Sequence, residues 1–141
     1  MEYLVGLFLA LAVSVSATLI GFDRDRAFYP TVMVVIASYY GLFAVMGGSV
    51  QVLLLESIAI AAFVGLSVLG FKRNLWLVAV ALAGHGVLDF FHHALVQNTG
   101  VPRVWPGFCM AFDLTAGVFF GCVLAFRANS AARRPALGGG R

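Results

Sequence analysis

The run Val52–Phe71, VLLLESIAIAAFVGLSVLGF, is followed at once by Lys72-Arg73, and its reading decides the fold. One ionisable residue, Glu56, interrupts otherwise apolar or small side chains. About 20 helical residues cross a hydrocarbon core of roughly 30 Å, so the run is a candidate transmembrane helix with a basic stop at one end. Inside lipid every backbone N–H and C=O needs an internal partner. A helix meets that need segment by segment, and the run lacks the alternation of a barrel strand.

Four further stretches read the same way, giving expected helices at about 3–21, 30–48, 52–71, 75–97 and 106–126. The fold class is therefore all-α, a five-transmembrane-helix bundle forming one domain over 1–127. The whole chain of 141 residues is 62% hydrophobic and 11% charged, too apolar to give a soluble domain its polar surface. The segment 128–141, rich in Ala, Gly and Arg, reads as a disordered cytoplasmic tail. The first stretch starts Met1-Glu2-Tyr3 with no basic region, so it reads as a retained helix and not a signal peptide.

Basic residues set the expected orientation. Arg24 and Arg26 follow the first span, Lys72 and Arg73 the third, and Arg127, Arg133, Arg134 and Arg141 the fifth; only Arg103 falls on the other side. Five crossings with this split put the N-terminus outside and the C-terminus in the cytoplasm. The net charge of +3 is accounted for by membrane anchoring and needs no nucleic-acid partner. The bilayer itself is the first partner. Cys109 and Cys122 share one expected helix about 20 Å apart, too far to form a disulfide within the chain.

Chemistry concentrates where charge enters the spans. Glu56, Asp89 and Asp113 lie in the third, fourth and fifth helices, and all three histidines, His85, His92 and His93, lie in the fourth. An ionisable group at bilayer depth costs a few kcal/mol or more, so it faces the protein interior and has a partner or a task. From the helix ends, Glu56, Asp89, His92, His93 and Asp113 sit roughly 6–12 Å below the outer boundary and His85 about 18 Å below it. His85, Asp89, His92 and His93 fall within an arc of about 100° on their helix. Ser38, Tyr39 and Tyr40 lie at a depth from which they could reach the same layer. Asn98–Pro102 reads as an outer turn covering it, with Trp105 as an interface anchor.

His85-Gly-Val-Leu-Asp89-Phe-Phe-His92-His93 offers imidazole and carboxylate ligands at helical spacing. Neighbours three or four apart can share an ion, but His85 and His93 are about 12 Å apart along the axis, so one site needs a ligand from another helix. The expected metal ligands are His85, Asp89, His92, His93 and Asp113. Glu56 and Asp113 are the expected catalytic carboxylates, whichever is left off the metal acting as general base. Mixed N/O ligation selects zinc, iron(II) or manganese as the divalent cofactor. A metal-dependent hydrolase or oxidoreductase acting on a lipid or other apolar substrate is the leading expectation. A proton-coupled carrier, and an accessory or structural subunit using the cluster as a polar network, are the alternatives. Retinal-type chemistry is disfavoured, because a Schiff base needs an intramembrane lysine and the sole lysine, Lys72, is at the cytoplasmic boundary. A haem held by two histidines on facing helices is excluded within one chain, because one span carries all three. Gly117-x-x-x-Gly121 is a small-residue face that lets a helix approach closely, a possible route to a homo-oligomer.

The segments Asp25-Arg-Ala-Phe-Tyr-Pro30, Ser38-Tyr-Tyr40, His85-Gly-x-x-Asp89-x-x-His-His93 and Val101-Pro-x-x-Trp-Pro-x-Phe-Cys109-x-x-x-Asp113 together resemble an uncharacterised family of small bacterial polytopic integral membrane proteins. The resemblance covers most of residues 22–126. It implies a multi-pass protein of the bacterial inner membrane and implies no activity. A distant analogy links the chain to the alkaline ceramidase-like membrane hydrolases, which also gather His and Asp at a zinc site but have seven helices and other spacings.

Overall fold

The computed structural model describes residues 1–137, with side chains through Arg133. Among these residues the fold is all-helical: α1 Glu2–Ile20, a 3-10 turn Phe22–Arg24, α2 Phe28–Met46, α3 Val50–Lys72, α4 Trp76–Leu95 and α5 Trp105–Leu137. All five α-helices are long and apolar enough to cross a membrane. Large apolar side chains cover the outside, among them Phe8, Val35, Leu54, Ile58, Phe90 and Val118. A soluble monomer does not expose apolar surface on that scale, whereas lipid solvates it.

The ends follow local chemistry. Gly21 takes φ 93° at the end of α1, a left-handed conformation that costs glycine little, and its N–H closes on Ala17 O. The Ser49 hydroxyl accepts from Val52 N and caps α3. Pro30 and Pro106 sit in the first turns of α2 and α5, where their missing N–H groups are not needed.

Nine of the ten expected span boundaries lie within two residues of these ends; the last does not. The segment 128–137, expected to be disordered, continues α5 as helix, and 138–141 lies outside the described residues. Ala128, Ala131 and Ala132 are strong helix formers, and Arg127 and Arg133 favour the negative end of the helix dipole. Hydropathy falls there, but helical propensity does not.

Within the bundle, α5 packs between α1 and α4, while α4 also touches α2 and α3. The α4 helix thus has neighbours on three sides and is the most buried of the five. Met33, Ile36 and Ala37 of α2, Val78, Ala81 and Leu82 of α4 and Phe120 of α5 form the apolar core. Gly117 makes the α4–α5 contact possible: a Cβ there would lie 2.9 Å from Ala79 O and 3.0 Å from Ala83 N. The Gly117 end of the small-residue face thus packs against α4 of the same chain, and Gly121 meets the Trp76 ring.

Candidate metal centre

Five of the six ionisable side chains expected inside the spans point into the bundle. Glu56, His85, Asp89, His92 and Asp113 are each at most 2% exposed. They come from α3, α4 and α5 and gather in the half of the bundle that carries the α2–α3 and α4–α5 connections. His93 is the exception and a correction: it is exposed on the outside of α4. It follows His92 directly, so its direction differs by about 100°, and with His92 facing inward it is turned out of the interior.

The cluster divides into two parts joined by Tyr40. In the deeper part, His85 Nδ1 lies 2.7 Å from Asp113 Oδ2 and 3.4 Å from Asp89 Oδ2. One ligand atom from each of these three residues falls within 4.8 Å of the other two. Three ligands at about 2.1 Å from a common ion are separated by roughly 3.0–3.4 Å, so only small side-chain movements would bring these atoms to coordination distance. Two oxygens in this part, Asp89 Oδ2 and Asp113 Oδ1, are buried with no hydrogen-bond partner among the described residues. Buried polar groups almost always have partners, so an unpartnered oxygen on each of these two carboxylates is unusual and leaves both with capacity for a further proton or cation.

In the shallower part, His92 Nε2 stands 2.9 Å from Glu56 Oε1, so the expected fellow ligand of His85 and Asp89 is paired with a different carboxylate. His92 Nδ1 is buried and unpartnered. Asn98, from the α4–α5 connection, donates to the same Glu56 oxygen at 2.9 Å. Glu56 is thus tied to imidazole and amide, away from the His85 triad.

Tyr40 links the two parts. Its ring stacks on His92 with centroids 4.0 Å apart and planes 20° apart, while its hydroxyl donates to Asp89 Oδ1 at 2.6 Å. That bond occupies one Asp89 oxygen and leaves Oδ2 facing His85, the arrangement by which an outer-shell donor orients a metal-ligating carboxylate. Phe63 meets the His85 ring edge-on, with centroids 4.8 Å apart, and limits its rotation.

Tyr40 and Asn98 are thus parts of the site that the ligand pattern alone did not single out. Tyr40 lies at a depth from which it could reach the layer, but the neighbouring Ser38 and Tyr39 share that property. Ser38 instead donates to Val34 O of its own helix, and Tyr39 packs edge-on against Trp105. Asn98 lies in a turn outside the apolar stretch, and the signal was its spacing to Gly100. Its Oδ1 accepts from Gly100 N, an Asx-type turn that directs the amide nitrogen inward.

A groove of about 410 Å³ runs along the outside of the bundle between α1, α2 and α5, and Cys109 forms part of its wall. Cys109 is buried and lies one helical turn before Asp113. In comparison with known proteins, no family model, curated protein or solved structure matches this chain.

Proposed function

We propose that this chain is a membrane-embedded metal-binding protein whose His85, Asp89 and Asp113 hold one divalent cation. The convergence of Asp113 Oδ2 at 2.7 Å and Asp89 Oδ2 at 3.4 Å on His85 Nδ1, with one oxygen of each carboxylate buried and unpartnered among the described residues, carries the reading. Charge supports it. Two carboxylates and a neutral imidazole carry −2, which a dication cancels, whereas uncompensated charge in a dry interior costs several kcal/mol. One nitrogen and two carboxylate ligands suit zinc, iron(II) or manganese and fit copper(I) poorly. Such an ion polarises a substrate oxygen or activates a bound water; iron adds oxygen chemistry.

The substrate class that fits the surroundings is a lipid or another apolar molecule. The groove beside Cys109 opens sideways along the bundle, toward the surface that lipid would cover, and its wall is one turn from Asp113. Glu56, tied to His92 and Asn98, is a poorer general base in this arrangement than a carboxylate on the triad itself. A carrier finds less support. Met33, Val78, Leu82 and Phe120, each at most 1% exposed, fill the interior towards the other end of the bundle, and five helices leave no second path. The basic residues after α1, α3 and α5 favour an N-terminus outside and the metal centre in the outer half of the membrane, and the resemblance to small bacterial membrane proteins makes that the bacterial inner membrane.

Metal analysis of the purified full chain tests the proposal. Close to one equivalent of zinc, iron or manganese is expected, lost in Asp113→Asn while helical content by circular dichroism is unchanged. A chain that is metal-free and binds none of the three when titrated overturns it.

A further inference from the structure

The α4–α5 connection does more than join two helices. Asn98 is 5% exposed although it lies past the end of α4, and Val101, 7% exposed, packs with Tyr40 and Phe43. Gly100 rests directly on the Phe43 carbonyl, where no Cβ would fit. The connection is therefore pressed into the end of the bundle, immediately above Glu56 and His92.

The Asn98 amide nitrogen lies 2.9 Å from Glu56 Oε1 and 3.3 Å from the Tyr40 carbonyl oxygen. Its orientation is set by the other end of the amide, which accepts from Gly100 N at 3.1 Å. A single NH2 group thus stands between two oxygen acceptors, one of them a buried carboxylate, as a cation would. The imidazole of His92 borders the same carboxylate, and its second nitrogen is buried without a partner. Withdrawal of Asn98 would leave a carboxylate, a carbonyl and an imidazole converging at the mouth of the cluster.

We infer that Glu56, His92 and the Tyr40 carbonyl form a second divalent-cation subsite, a transit site on the way to the His85 triad, and that the Asn98 amide is the tethered plug that closes it. The inference rests on the triad reading for its destination but not for its ligands. The plug explains how a centre with ligands at most 2% exposed can be loaded: the connection swings out, the ion meets Glu56 and His92 first, and the triad lies deeper along α4, Asp89 about one helical turn and His85 about two turns below His92. It also explains why an amide and not an apolar side chain occupies this position. An apolar plug would leave the Glu56 carboxylate short of a donor whenever the path is shut.

Cobalt(II) binding by the full chain, read by visible absorbance and by metal analysis, tests this with two substitutions. Asn98→Asp keeps an acceptor for Gly100 N and replaces the plugging NH2 with an anionic oxygen, so it converts the plug into a ligand. One equivalent of cobalt is expected in the unaltered chain and two in Asn98→Asp. Asn98→Ala removes the plug, and exchange of bound cobalt for excess zinc should run about tenfold faster at unchanged stoichiometry, the loss of one hydrogen bond to a charged group. An unchanged exchange rate in Asn98→Ala overturns the inference, whatever Asn98→Asp does. The Asp113→Asn/Asn98→Asp chain separates the two readings. If it binds one equivalent while the unaltered chain binds none, the subsite stands and the triad reading falls; if it binds none while the unaltered chain binds one, the subsite falls and the triad stands.

Discussion

Tyr40→Phe removes one oxygen atom and should weaken the metal centre without disturbing the helices. The hydroxyl donates to Asp89 Oδ1 at 2.6 Å in a place where both residues are at most 3% exposed. Asp89 Oδ2 accepts no hydrogen bond among the described residues, so the substitution leaves the carboxylate only the 3.4 Å approach of His85 Nδ1. Hydrogen bonds to charged groups contribute about 1.5–3 kcal/mol, while side-chain bonds between membrane helices average nearer 0.6. Water cannot replace the lost donor at this depth, so the upper range applies and a stability loss of about 2 kcal/mol is expected. The ring survives in phenylalanine, so the stack on His92 persists and the loss is confined to Asp89. Loss of such an orienting donor lowers metal affinity by about 10–100-fold. The assay is competitive titration of zinc or cobalt in detergent micelles, run beside denaturant unfolding of the metal-free chain. Tyr39→Phe, whose hydroxyl forms no hydrogen bond among the described residues, is the control and should change neither. Unaltered affinity in Tyr40→Phe, together with the expected loss of stability, would refute the role of Asp89 as a ligand oriented by Tyr40.

The remaining predictions concern individual packing and pairing. His93→Ala should leave metal content intact and stability within about 0.5 kcal/mol, because the side chain is on the outside of α4; His92→Ala, which strips Glu56 of its imidazole partner, should cost about 1–3 kcal/mol in the same unfolding assay. Gly117→Leu should push α4 from α5, cost about 2 kcal/mol or more and release the metal, since Asp113 is on one helix and His85 and Asp89 on the other; Gly65→Ala, with open space around it, is the matched control in thermal melts. Arg127→Ala breaks a 2.9 Å ion pair with Asp23. Breaking a fully buried pair costs about 3–5 kcal/mol, but the arginine side chain is 39% exposed, so about 1–2 kcal/mol is expected from chemical denaturation.

Most of the architecture was legible because burial in lipid is a local demand. Each span must be long and apolar on its own account, and Val52–Phe71 announces α3 without reference to any other helix. Ionisable groups are costly in lipid, so the inward direction of Glu56, Asp89 and Asp113 could also be read span by span. Local propensity escaped that reading at one point: the alanines after residue 127 are too polar in company to look like a span, yet they extend α5.

Partnership is a different matter. His92 and His93 differ by one position, and whether either meets Glu56 depends on how α4 is rotated against α3, a quantity fixed by packing such as the Gly117 contact and not by periodicity. The rotation of α2 about its own axis likewise decides that Tyr40 and not Tyr39 reaches Asp89. The sequence alone therefore determined five spans and an inward set of acids and imidazoles, since transfer to hydrocarbon is a cost each segment meets by itself. Only the tertiary structure decided that His85, Asp89 and Asp113 converge, that His92 belongs to Glu56, and that Asn98 folds back over them. Hydrogen-bond partners are chosen within a few tenths of an ångström, a scale set by helix contacts far apart in the chain.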